Sequence, residues 1–154
     1  MTGRDMIQAL GIALALLLIN FAIGILAVTV YSLAIAPGQD SAAYAAAAQW
    51  IVPWVVGIAS PLLFALAGFL AARRRPQRNG HTFALLFSAD YVLLDMLVSI
   101  PMHALASFAV LATWLVILGD WIAAQLGVLI AARVGGRAPG TGAAGSSQEG
   151  SVDG

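Results

Sequence analysis

Long apolar stretches dominate the order of residues. Residues 6–36 are interrupted only by Gln8, Asn20, Thr29 and Ser32, and further apolar stretches cover residues 50–72, 82–101 and 104–132. Each provides the roughly 20 residues, at about 1.5 Å rise per residue, that an α-helix needs to cross hydrocarbon. None shows the strict alternation of a barrel strand. The pattern predicts an all-α membrane protein, a four-span transmembrane helical bundle of antiparallel neighbours occupying residues 1–134. The first stretch exceeds the roughly 7 to 15 residues of a signal-peptide core. Pro37, directly after the small-residue triplet Ala34-Ile35-Ala36, argues against cleavage there, so the first span is expected to be retained.

The connections are polar or broken. In residues 37–49, Asp40 and Ser41 are placed to cap a short alanine-rich helical turn ahead of the second span. Residues 73–80 (RRRPQRNG) form a turn suited to water. Pro101 interrupts helical hydrogen bonding and is expected to permit a tight reversal between spans three and four. Residues 135–154 are Gly, Ala and Ser with scattered charge, a composition that cannot bury a core and predicts a disordered tail.

Composition agrees with lipid as the solvent. The chain is 61% hydrophobic and 9% charged, with a mean hydropathy of +0.93. All seven basic residues are arginines: Arg4, Arg73, Arg74, Arg75, Arg78, Arg133 and Arg137. In a four-span arrangement every one of them falls on one side, so the positive-inside rule puts both termini in the cytoplasm of a multi-pass cell-membrane protein. Tyr31, Tyr44, Trp50, Trp54 and Trp114 map to the other interface, where amphipathic rings prefer to sit. Orientation alone accounts for the basic turn, and no nucleic-acid module is present. The absence of cysteine excludes a disulfide framework, a thiolate metal site and a redox dithiol.

Polar residues inside the spans carry the candidate chemistry. Counted from the basic end at about 1.5 Å per residue, Ser60 and Asp120 lie about 18 Å deep, Asp95 about 20 Å and Asn20 about 21 Å. Asp90 is shallower, at roughly 12 Å by the same rise. Ser88, Asp95, Ser99 and His103 recur at heptad and four-residue spacing and share one face of the third span. Pro101 also frees the carbonyl of Leu97 beside that face. A carboxylate at the centre of a bilayer costs on the order of 3 kcal/mol, and no basic residue falls inside a span to offset it. Asp95, Asp120, Asn20, Ser60, Asp90 and Ser99 therefore form a candidate site for a proton or small cation. The competing expectation is that the same groups serve as interhelical hydrogen bonds worth roughly 0.6 to 2 kcal/mol each.

Gly119, Ala123, Gly127 and Ala131 make a ridge of small residues on the fourth span, the usual seam for close helix approach, and offer a surface to a second copy or a membrane-complex partner. The second and fourth spans also end in similar words, GFLAAR at residues 68–73 and GVLIAAR at residues 127–133. No nucleophile with a base, no metal-ligand spacing and no phosphate-binding glycine loop is present, so neither enzymatic activity nor a cofactor is expected. Two functions remain: an interaction or assembly module within a membrane complex, or a small proton- or cation-linked transport component.

Overall fold

The computed structural model describes residues 2–101 and 110–135. They form four helices: α1 (Gly3–Val30), α2 (Ser41–Arg74), α3 (Gly80–Ser99) and α4 (Leu111–Gly135). α1 continues through a π-helical turn, Tyr31–Ile35, before the chain reverses. All four are long and apolar enough to cross a bilayer. Gly135, expected to open the tail, ends α4 instead; His103, Arg137 and the rest of the expected 135–154 tail lie outside the described residues.

Side chains fix where the helices start. The backbone N–H and hydroxyl of Thr2 both donate to the Asp5 carboxylate at 3.0 Å. Asp40 accepts from the Ala43 N–H at 2.7 Å, and Asn79 accepts from the Thr82 N–H at 3.2 Å. Each contact satisfies or orders an otherwise orphaned helix start. Between α1 and α2, Gly38 adopts a φ of 81°, a left-handed conformation that costs glycine little. The Tyr44 hydroxyl closes this turn by accepting from the Gln39 N–H and donating to the Ala36 carbonyl.

The second helix differs from expectation. Asp40 does cap an alanine-rich turn, but that turn and the second span are one helix from Ser41 onward. Alanine has the highest helix propensity, and nothing in residues 42–49 stops propagation. Pro53 and Pro61 lie inside α2 and each removes one helical hydrogen bond without ending it. On the fourth span, described helix begins at Leu111, and the stretch from 104 to 109 assigned to it lies outside the described residues.

Consecutive helices run antiparallel: Gly24 of α1 meets Val52 of α2, and His81 of α3 meets Gln125 of α4. The most extensive seam, however, joins α2 to α4, which run parallel. A Cβ added at Gly68 would collide with the Ala124 carbonyl oxygen, and one at Gly127 with that of Ala65. The similar words ending the two helices thus mark where their backbones touch. Gly127 and Ala131 are buried in this internal seam, whereas a Cβ at Gly119 would meet open space. The ridge expected to face a partner is divided, with its lower half used within the chain.

Aromatic rings fill the space between α2 and α3. Phe64, Phe83 and Phe87 are almost fully buried, and the Phe64 ring stands edge-on to Tyr91 with centroids 5.0 Å apart. The outward faces are apolar: Ile7 is 73% exposed, Leu62 67% and Leu111 73%. A water-soluble bundle shows the reverse arrangement.

Charged groups gather at one end of the bundle. Arg75 and Arg78 both reach Asp5, at 3.5 and 3.4 Å. The Arg78 guanidinium also lies 3.3 Å from the centroid of Phe83 and donates to the Ala71 carbonyl. His81 Nδ1 and Gln125 Oε1 are 2.6 Å apart, tying α3 to α4 at the same end.

Candidate functional site

Four helices each contribute one side chain to a polar cluster halfway along the bundle. Asn20 of α1 donates through Nδ2 to Ser60 Oγ of α2 at 3.2 Å and to the Tyr91 hydroxyl of α3 at 3.0 Å. Ser60 in turn donates to Asp120 Oδ2 of α4 at 2.8 Å. Asn20, Ser60 and Asp120 are 4%, 1% and 5% exposed. Both Asn20 amide hydrogens and the serine hydrogen are thereby committed.

Three oxygens stay unsatisfied. Asn20 Oδ1, Ser88 Oγ and Asp120 Oδ1 are buried without a hydrogen-bond partner. A buried polar atom left unpaired costs about 1–3 kcal/mol, more when charged, so the cluster is not a closed network. Ser88 and Asp120 line the same cleft of about 330 Å³, which Phe64, Tyr91 and Trp121 also line. A second cleft, of about 550 Å³, is lined by Asn20, Gly24, Val52, Tyr91 and Asp95. Tyr91 belongs to both walls.

Sequence depth brings together Asn20, Ser60 and Asp120 as expected. Asp95 lies beside the cluster, half-buried in the wall of the larger cleft, and makes no hydrogen bond among the described residues. Asp90 and Ser99 are half-buried, line neither cleft and bond to no member of the cluster. Tyr91 was missed. Its signal was available, because it sits three residues after Ser88 and four before Asp95 on the same face of the third helix. Trp121 also lines the smaller cleft.

The cluster thus holds one carboxylate, one serine hydroxyl, one phenol and one amide, with the Ser88 hydroxyl across the smaller cleft. Among the described residues no three His, Cys, Asp or Glu side chains come together to hold a metal ion. No protein-family model matches the chain, and the searches of curated proteins and of solved structures find no match either.

Proposed function

We propose that this is a multi-pass protein of the cell membrane whose mid-bundle cluster takes up and releases a proton at Asp120, as a small proton-linked transport component. The observation that carries the reading is the Asp120 carboxylate, with one oxygen bonded to Ser60 and the other buried, unpartnered and beside a cleft. A proton on that second oxygen neutralises a charge costing on the order of 3 kcal/mol at mid-membrane. Ser60, itself held by Asn20, fixes the carboxyl, and Tyr91 and Asp95 line the larger cleft beside the cluster. Arginines at one end, with no basic residue in the opposite connection of residues 37–49, support an orientation with both termini in the cytoplasm.

Proton flux into vesicles containing the purified chain tests the reading. Asp120→Asn should reduce flux at least tenfold and Asp90→Asn should leave it unchanged. Equal flux in wild type and Asp120→Asn would overturn it. Flux requiring a particular metal cation instead would replace the proton with that cation.

A second reading keeps the chain as an assembly module. Gly119 favours it, since a half-exposed position with open space for a Cβ admits close approach by another helix beside Ala123. Gly119→Leu would then abolish oligomers or partner retention in mild detergent while leaving the monomer folded.

A further inference from the structure

The basic end carries a cleft that the polar cluster does not use. It lies between α1 and α2, holds about 540 Å³, and extends from Gln8 and Arg74 at the basic end to Ile19 and Leu63 near mid-bundle. Its walls are apolar over most of that course. Gly11 and Ala15, both small and exposed, keep one side low. From residue 8 to residue 19, α1 rises about 16 Å at 1.5 Å per residue. That is the depth of one leaflet in a hydrocarbon core roughly 30 Å thick.

The mouth of the cleft holds more positive than negative charge. Arg74, Arg75 and Arg78 line it, and the one carboxylate they meet is Asp5, shared by Arg75 and Arg78. Arg74 is exposed and has no acidic partner among the described residues. The buried Nε of Arg78 has no acceptor either. Orientation requires arginines at this end, but not that three of them converge on an apolar groove one leaflet deep.

We infer that this cleft binds an anionic phospholipid, its phosphate against Arg74 and Arg75 and one acyl chain lying along Gly11, Ala15 and Leu66. Guanidinium groups match phosphate oxygens with paired, charge-assisted hydrogen bonds. The groove gives the chain a bed that an unstructured basic patch lacks. Arg78, stacked on Phe83 and bonded to Ala71, stays with the protein and leaves the other two to meet the phosphate. The inference needs the helices to stand in a bilayer, but it is independent of a proton at Asp120.

Native mass spectrometry of the full chain in mild detergent tests this with three probes: phosphatidylglycerol, phosphatidylcholine and free glycerol phosphate. At roughly 1 kcal/mol per arginine, two surplus charges predict about 30-fold better retention of phosphatidylglycerol than of phosphatidylcholine. The double substitution Arg74→Gln, Arg75→Gln should bring that preference to within about threefold, since each arginine carries a comparable share. Ala15→Phe should weaken retention of both lipids by filling the groove without changing charge. The control pair Arg4→Gln, Arg133→Gln removes the same charge elsewhere and should keep the preference. Loss of preference in that control, or displacement of lipid by equimolar glycerol phosphate, would overturn the inference.

Discussion

Asn20 carries more of the cluster than its neutral side chain suggests, because it donates to two other helices at once. Asn20→Leu removes both bonds, and unfolding in detergent should show a loss of about 1–2 kcal/mol, the range of interhelical polar contacts in membranes. Ser88→Ala removes a buried hydroxyl that has no partner and should raise stability by about 1 kcal/mol, measured the same way. At this scale, depth along each helix was readable from the sequence, and depth sufficed to group Asn20, Ser60 and Asp120. Rotation about each helix was less readable. Asp95 shares their depth and lines a cleft with Asn20 but bonds to none of them, and Tyr91 was hidden because an aromatic in an apolar run reads as packing.

Helices were easier to find than their contacts. Four apolar runs gave four helices, since length and hydropathy are properties of the chain itself. The merged start of α2 escaped because Ala42 to Ala48 lies outside the apolar run that defined the span, although its propensity continues the helix. Parallel packing of α2 on α4 also escaped, because small residues license close approach without naming the partner. Gly127→Val should test the seam directly. Its Cβ collides with backbone that cannot turn aside, so a cost of about 3 kcal/mol, the upper end for overpacking, is expected in thermal unfolding. Gly119→Val, eight residues earlier on the same helix, should leave the unfolding temperature nearly unchanged.

Across the whole molecule, Arg78 links the start of α1, the end of α2 and the start of α3 through Asp5, the Ala71 carbonyl and the Phe83 ring. Arg78→Gln forfeits a cation–π contact and a shared ion pair, and should lower stability by about 2 kcal/mol, measured in detergent. Reporter fusions check the orientation: one placed after Gly135 should be active only in the cytoplasm, and one in the turn at Gly38 only outside. The opposite result would reverse the depth scale on which the proposed site rests.

The two hairpins, α1 with α2 and α3 with α4, are joined at mid-bundle by two polar bonds, Asn20 to Tyr91 and Ser60 to Asp120. Both cross the same boundary. A slip of one hairpin past the other by a single residue, about 1.5 Å, distorts and weakens both bonds together. Any shift of one half of the bundle along the other is therefore felt at Asn20 and at the Asp120 carboxyl in the same step.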